Sequence, residues 1–283
     1  MIGSELGAIG FGLASALSWG AGDFSGGLAT RRNHVYGVVL LSQMTGAFFL
    51  IMIALLLAEP FPRPLDLVYG GVAGISGTIG LVALYRGLAG GRMGIVAPVA
   101  AVVTAILPVM VSIVVVGAPA TSQLIGFGLA LVAVWLISAQ HGQAGQIRVE
   151  EVGLAVLAGI GFGIFLILID RVSAGVILWP LVAARIASIS MLIVVGTVTA
   201  PFRKLPAAAG LLPVILAGIF DTGGNAFFAL ATQTGRLDVA AILGSLYPAA
   251  TIALAWLILK ERLVHQQWLG VIAALIALVL IAS

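Results

Sequence analysis

The sequence predicts an all-α membrane protein, with ten transmembrane helices arranged as two inverted five-helix repeats around a central cavity. Hydrophobic residues make up 61% of the 283 positions and charged residues only 8%, whereas a soluble chain of this length must cover its surface with polar groups. Polar or helix-breaking residues interrupt the apolar sequence at roughly the interval that a bilayer-spanning helix requires, about 20 residues. An internal duplication supports the repeat.

The duplication relates residues 218–283 to residues 74–139, which align without a gap. Glycines, an arginine and a glutamine coincide: Gly74 with Gly218, Gly80 with Gly224, Gly91 with Gly235, Arg92 with Arg236, Gln123 with Gln267 and Gly126 with Gly270. Apolar composition alone does not bring such residues into register. The chain therefore contains two copies of one unit.

The ten spans follow from the breaks in order. They are predicted at residues 6–28, 35–58, 67–89, 93–116, 121–139, 152–169, 176–200, 208–232, 239–259 and 266–282. The longest polar run, residues 140–146, joins the fifth span to the sixth, so we divide the chain into a first repeat, 1–142, and a second, 143–283. Because five is odd, the second repeat must cross the membrane in the opposite sense to the first.

Small residues indicate which helices meet. Apolar burial contributes little between helices in lipid, so close packing of small side chains must hold them together. Spans five and ten carry matching small faces, and we expect these two helices to pack together: Gly126, Ala130 and Ala133 in one, Gly270, Ala274 and Ala277 in the other. Span three carries a similar stripe of Gly70, Gly74, Gly77 and Gly80, either for general packing or for a special partner.

Several function classes are not supported. The net charge of +3 comes from scattered residues without a basic run, so no nucleic-acid partner is predicted. Cysteine is absent and the three histidines fall in predicted loops, so we predict no metal site, no cofactor and no enzyme. Glu5 stands where a signal peptide would carry lysines, so the first apolar run is interpreted as a retained helix.

Polar side chains inside the spans are the candidates for binding a solute. Arg185 in span seven and Asp221 in span eight fall at similar depth near the midplane of the bilayer. An unpaired charge there costs about 2.5 to 3.5 kcal/mol, so we expect the two to pair or to be hydrated. The alternatives stay open: a structural ion pair that joins two helices, an arginine that binds an anionic group, or an aspartate that binds a cation or a proton.

Other side chains complete the predicted binding set. Gln43 occupies in span two the place that Arg185 occupies in span seven, and Asn225 follows Asp221 by one turn. The full set is Trp19, Gln43, Tyr85, Arg185, Asp221, Asn225 and Tyr247. Asp23 lies nearer a membrane surface, where Arg31 or Arg32 could neutralise it, and it is left between a surface role and a cavity role. Pro98, Pro108 and Pro248 remove backbone hydrogen bonds inside spans four and nine, which permits bending or a fixed kink.

The chain resembles the EamA-type family of the drug/metabolite transporter superfamily. The similarity is carried by Ser18-Trp19-Gly20, Arg185, Ala229-Leu230-Ala231 before Gly235-Arg236, Leu246-Tyr247-Pro248, Leu259-Lys260-Glu261-Arg262-Leu263 and Gln267-Trp268-Leu269-Gly270. The first half departs from the pattern, with Gln43 where the family often has arginine, Thr104 opposite Pro248, and Gly117-Ala118 opposite Glu261-Arg262.

The resemblance implies a secondary transporter that moves, and in this family usually exports, small polar or amphipathic metabolites such as amino acids or drug-like solutes by alternating access. It implies a multi-pass protein of a prokaryotic inner membrane. The expected partners are a small-molecule substrate and membrane lipids, and no oligomer is required. Two alternatives are kept: a flippase for a lipid-linked head group, and a non-transporting membrane scaffold.

Two criteria predict opposite orientations of the chain in the membrane. The resemblance implies cytoplasmic termini, which leaves Arg63, Arg171 and Arg236 in the inside loops. The opposite loops hold more basic residues: Arg31, Arg32, Arg92, Arg148, Arg203, Lys204, Lys260 and Arg262. Because cytoplasmic loops normally carry the excess of lysine and arginine, the charge distribution favours the opposite orientation, and both stay open.

Overall fold

The helices of this protein are defined by a computed structural model that describes residues 2–30, 33–89, 93–138, 149–199, 210–260 and 264–282. Those residues form eleven α-helices: α1 Ile2–Thr30, α2 Val35–Leu56, α3 Pro64–Ala89, α4 Met93–Val116, α5 Thr121–Ser138, α6 Val149–Asp170, α7 Leu178–Thr199, α8 Leu211–Thr234, α9 Leu237–Gly244, α10 Tyr247–Leu259 and α11 His265–Ala282. The predicted boundary at residues 142 and 143 lies outside the described residues.

Within the described residues, seven stretches are long and apolar enough to cross a membrane, and one of them, Leu237–Leu259, joins α9 and α10. The apolar parts of α5 and α11 are shorter, and α1 is a helix of 29 residues. The prediction of an all-helical membrane protein is therefore confirmed at this level. Whether the chain makes ten crossings in two inverted repeats is taken up below as a proposal.

The predicted ninth span is found as one stretch, Leu237–Leu259, that is long and apolar enough to cross a membrane, but its helix is interrupted at Ser245 and Leu246, which separate α9 from α10. Pro248 has no N–H to donate to the carbonyl of Gly244, four residues earlier, and its ring opposes a continuous helix at that point. The backbone makes a tighter turn instead, in which the N–H of Leu246 donates to the carbonyl of Leu243 at 3.1 Å. All eight residues of α9 are buried.

Helices of the first half pack antiparallel against helices of the second. Along α1 and α8, Gly7 lies beside Thr234, and the Oγ of Ser18 donates to the carbonyl of Phe220 at 2.7 Å. Along α3 and α6, Asp66 accepts hydrogen bonds from Ser173, just after α6, while Gly80 lies against Ala158. The repeat relates these two contacts: α1 packs against α8 in the same way as its counterpart in the second half, α6, packs against α3.

The predicted contact between the last helices of the two halves is confirmed. Gly126 of α5 lies against Ala277 and Ile281 of α11, and Gln123 donates to the carbonyl of Ile281 at 3.4 Å. Ala130 and Ala133 are fully buried in this seam. The start of α5 therefore meets the end of α11, so these two helices are also antiparallel.

The glycine stripe of α3 has specific partners. Gly70 and Gly74 lie directly against the backbone carbonyls of Pro180 and Ala184 in α7, while Gly77 faces Phe165 in α6. The Oγ of Ser188 also donates to the carbonyl of Gly74 at 3.1 Å. At these positions no side chain fits between the two helices, so the stripe sets the distance from α3 to α7.

The remaining contacts divide the helices into two groups. The first bundle contains α1, α2, α8, α9 and α10; the second bundle contains α3, α4, α6 and α7. The groups meet where α2 packs on α7 and where α4 packs on α9. We call the side of the molecule where α1 begins the start face, and the side where α1 ends the far face.

Candidate solute-binding chamber

The predicted pair of charges is present at the junction of the two bundles. The guanidinium of Arg185 in α7 lies 2.6 Å from the Asp221 carboxylate in α8, and it also donates to the side-chain oxygen of Gln43 in α2. Arg185 and Gln43 are 6% and 8% exposed. Three helices thus converge on one buried cation, and the two partners of that cation come from the first bundle.

Asp221 faces open space within the helix bundle. It lies in the middle of the buried face of α8, between Val214, Gly218, Asn225 and Phe228 in helical register. The exposed face of the same helix carries Leu212, Phe220 and Phe227. Nevertheless the Asp221 side chain is 48% exposed. A side chain this accessible on an inward-facing stripe indicates a chamber and not a lipid surface.

Trp19 and Asn225 form one wall of this chamber. The indole N–H of Trp19 donates to the Asn225 side-chain oxygen at 3.0 Å, and its ring stacks on Phe228 with centroids 5.8 Å apart. Gly224 and Gly244 lie against the indole ring, so a side chain at either would displace it. The structure brings the predicted residues Trp19 and Asn225 together, and in this contact the Asn225 side chain holds the tryptophan ring in place.

The two predicted tyrosines have different outcomes. Tyr247 is half-buried at the start of α10, and Gly20 of α1 packs against its backbone carbonyl. Tyr85 belongs to α3, but its side chain lies outside the described residues. Tyr247 therefore lies beside α1, where its part in binding stays a prediction, and Tyr85 stays a prediction from sequence alone.

Asp23 belongs to the same chamber, although the sequence left its role open. It follows Ala16 and Trp19 on one face of α1, and this face changes from buried at Ala16 to exposed at Asp23 and Gly27. Leu6 and Leu17, which are exposed too, lie roughly 100° away around the helix. The residue before Asp23, Gly22, also lies directly against the backbone of Asp221. The signal in the sequence was the one-turn spacing from Trp19.

A second polar network, which we call the terminal clasp, joins the bundles at the start face. It consists of Glu59, Gln233 and Arg236 with their partners. The Glu59 carboxylate accepts from the backbone N–H groups of Ile177, Leu178 and Trp179 at 2.8 to 3.0 Å, where negative charge at the N-terminus of α7 is favourable.

The other two members of the terminal clasp act on neighbouring loops. Gln233 accepts from the N–H of Gly175 at 3.0 Å and donates to the carbonyl of Val176 at 3.2 Å. Arg236 donates to the carbonyl of Gly117 at 2.9 Å, while the hydrogen-bonded carboxylate of Asp238 raises the pKa of Arg236 and keeps it protonated. Sequence reasoning missed this network because its residues fall in loops whose partners are distant in the chain.

Within the part of the chain that the structure describes, no three metal-ligating side chains are grouped to hold an ion.

We expect substitution of Glu59 by glutamine to destabilise the start of α7. Glu59→Gln removes the negative charge that faces three backbone N–H groups, and we expect it to lower the free energy of unfolding by about 1 kcal/mol. The shift in melting temperature of purified protein measures this effect. Glu150→Gln is the matched control at the start of α6: this acid is exposed, so its loss should lower the melting temperature less than Glu59→Gln does.

Comparisons with known proteins bear on two features, the fold of the chain and the sequence of its second half. A solved structure described as "Crystal structure of protein" matches with a TM-score of 0.80 and 14% identity, over 96% of this chain and 97% of that one. At this identity the likeness concerns the fold alone. No curated protein matches the sequence.

The sequence of the second half matches a defined family. Residues 150–283 match the EamA-like transporter family, whose members are typically non-enzymatic. This match covers α6 to α11, and so includes Arg185, Asp221, Asn225 and Tyr247. The chain is therefore a multi-pass membrane protein whose residues 150–283 are similar to the EamA-like transporter family, which is part of the drug/metabolite transporter superfamily.

Proposed function

We propose that the protein is a secondary carrier that moves small polar or amphipathic solutes, such as amino acids or drug-like compounds, by alternating access through the chamber around Arg185 and Asp221. The observation that carries this proposal is the half-exposed Asp221 side chain on the inward-facing stripe of α8. Charged groups at this depth are costly in lipid, so a water-accessible pair fits a solute pathway better than a scaffold.

We further propose ten crossings in two inverted repeats. The antiparallel pairs α1 with α8, α3 with α6 and α5 with α11 support it, because the first, third and fifth helices of two repeats threaded in the same sense would all run in one direction. Inverted repeats give carriers two arrangements of similar energy in which the halves exchange roles. Rocking of the first bundle against the second is the corresponding motion here.

The state described here is closed at the start face. The terminal clasp joins the bundles there, and the ion pair of Arg185 with Asp221 joins them at mid-depth. Towards the far face the inward stripe of α1 is exposed at Asp23 and Gly27. These contacts support a chamber that opens to the far face. With termini in the cytoplasm, as the family resemblance implies, that face is the outside, which suits release of an exported solute.

The first test is uptake by proteoliposomes. Purified protein should move at least one solute class from a panel of amino acids, organic cations and sugars, with and without a pH gradient. Failure with every class under both conditions contradicts the carrier.

Cysteine labelling tests the chamber itself. The chain has no native cysteine, so a membrane-impermeant thiol reagent reports only on the introduced one. We expect Asp221→Cys to react, and Phe220→Cys, at the same depth but on the exposed face of α8, to stay unlabelled in lipid. Ala130→Cys, in the seam of α5 and α11, is a buried control. Equal reaction at positions 220 and 221, or none at 221, contradicts the chamber.

Opening of the terminal clasp tests alternating access. In the double variant Glu59→Gln and Gln233→Ala, the links to the loop between α6 and α7 are weakened, so the start face should open more often. We expect Asp221→Cys to be labelled faster from the start face. A shift of about 1.4 kcal/mol in the equilibrium between the closed and the open start face corresponds to a roughly ten-fold faster rate. The same substitutions combined with Phe220→Cys control for general loosening. An unchanged labelling rate from the start face contradicts the assignment of the clasp as a gate.

A further inference from the structure

We propose that the ion pair of Arg185 with Asp221 is an exchangeable link between the two bundles, and that a solute breaks it by replacing each residue as the partner of the other. Such a solute carries an anionic and a cationic group on neighbouring atoms, as an amino group beside a carboxylate does. The inference rests on the proposed carrier. It adds the charge class of the solute and the contact through which the solute releases the bundles.

The contact inside the pair is poorly directed. Nη2 of Arg185 lies 2.6 Å from Oδ2 of Asp221, yet the N–H groups of Nη2 form no hydrogen bond with that carboxylate. A guanidinium and a carboxylate that are free to orient make two parallel charge-assisted hydrogen bonds, which are roughly twice as strong as neutral ones. The carboxylate of a solute can therefore replace Asp221 as the partner of Arg185.

The two partners differ in their freedom to move. Arg185 is 6% exposed, and Gln43 of α2 accepts a hydrogen bond from its Nη1, so a second contact holds the guanidinium in place. The Asp221 side chain is 48% exposed, while Gly22 of α1 packs directly against its backbone. Exchange thus requires rotation of the Asp221 side chain into the chamber and no displacement of α8.

A solute with a single charge does not replace both partners. An amine binds Asp221 and leaves the buried Arg185 without its anion, which is strongly destabilising. An anion binds Arg185 but places a second negative charge beside Asp221. A solute with both charges gives Arg185 a new anion and Asp221 a new cation, so each buried charge keeps a partner.

The exchange affects the bundles because the pair joins them at mid-depth. Arg185 belongs to α7 of the second bundle and Asp221 to α8 of the first, and these two helices make few other direct contacts. A solute that lies between the side chains separates them from the present 2.6 Å to more than about 5 Å, since it adds two hydrogen bonds of about 2.8 Å each. Binding therefore removes a link that the empty protein keeps.

Ligand series that differ in charge test the inference. The ligands are alanine, leucine and phenylalanine, each compared with the amine that lacks its carboxylate and with the acid that lacks its amino group. The readout is saturable stabilisation of the purified full-length protein during thermal unfolding. We expect at least one amino acid to stabilise the wild-type protein, and its amine and its acid to bind more weakly by roughly ten-fold or more. Glu150→Gln, at an exposed acid at the start of α6, should show the same preference.

Asp221→Asn distinguishes exchange from simple binding of a charged solute. This variant keeps the size of the side chain but no longer neutralises Arg185. The acid of the series then meets an arginine without its internal anion and without a like charge beside it, so we expect it to bind roughly ten-fold or more tightly than to the wild-type protein. The amino acid should lose its advantage over the acid. If Asp221→Asn is poorly folded, Asp221→Ser replaces it in the comparison.

The outcomes separate this inference from the carrier itself. An amine or an acid that binds the wild-type protein as tightly as its amino acid overturns the inference, while transport of singly charged solutes by the same chamber stays intact. Absence of an effect from all of the amino acids also overturns it, as does an unchanged preference in Asp221→Asn. The expected binding pattern without uptake of any solute by proteoliposomes supports the inference for binding and contradicts the carrier.

Discussion

Asp221→Ala is expected to abolish transport and to lower the free energy of unfolding by about 3 kcal/mol, the lower end of the cost of breaking a buried ion pair. The substitution leaves the guanidinium of Arg185, which is almost fully buried, with Gln43 as its described partner. The lower end applies because the Asp221 side chain is half exposed and partly hydrated. Proteoliposome uptake and thermal unfolding measure the two effects separately.

A paired variant distinguishes a functional pair from a structural one. Replacing both charges, as in Arg185→Met combined with Asp221→Leu, removes the unpaired cation, so stability should return to within about 1 kcal/mol of the wild type. Transport should stay absent, because the solute no longer finds either charge. Retention of transport by this double variant would mean that the pair only joins α7 to α8.

The second large effect is expected at the glycine stripe of α3. Gly74→Ala places a methyl group inside the space of the Ala184 carbonyl, which is backbone of α7 and has no rotamer to change. We expect a loss of about 3 kcal/mol, at the upper end for overpacking, because the two helices must separate. The yield of folded protein and its melting temperature report this loss.

Gly71→Ala is the matched control on the same helix. No atom lies within 4 Å of the position that its methyl group would occupy, so the identical chemical change meets open space. Its melting temperature should stay at or slightly above the wild-type value, since alanine favours the helix. A similar loss at positions 71 and 74 would show that α3 responds to any substitution and that the stripe does not set the helix spacing.

The contacts predicted best from sequence are those whose cause is local. The sequence predicts that Arg185 and Asp221 pair or are hydrated, because an unpaired charge at that depth in the membrane costs free energy. This cost does not depend on the rest of the fold. Gly126 and Ala277 were placed in one seam because small residues at helical spacing show directly which face can approach another helix.

The features that escaped prediction depend on distant residues. Glu59 caps α7 more than a hundred residues away, and nothing in the sequence around Glu59 specifies that helix end. The sequence does not decide the role of Asp23, because that role depends on whether this face of α1 borders a cavity or the lipid. Pro248 indicates an irregularity in span nine, but the full interruption at Ser245 and Leu246 does not follow from the sequence, because hydropathy stays high across these residues.

The break between α9 and α10 has a consequence for how the protein responds to its lipid environment. A bilayer acts on a helix through the side chains that touch acyl chains, and all eight residues of α9 are shielded by other helices. The second segment, in contrast, presents Trp256, Leu257 and Ile258 outward. Of these two segments, only α10 is therefore exposed to changes in membrane thickness, and we expect the turn at Ser245 and Leu246 to absorb the resulting tilt. Adjustment to hydrophobic thickness is thus separated from the buried pair of Arg185 and Asp221, which lies on other helices.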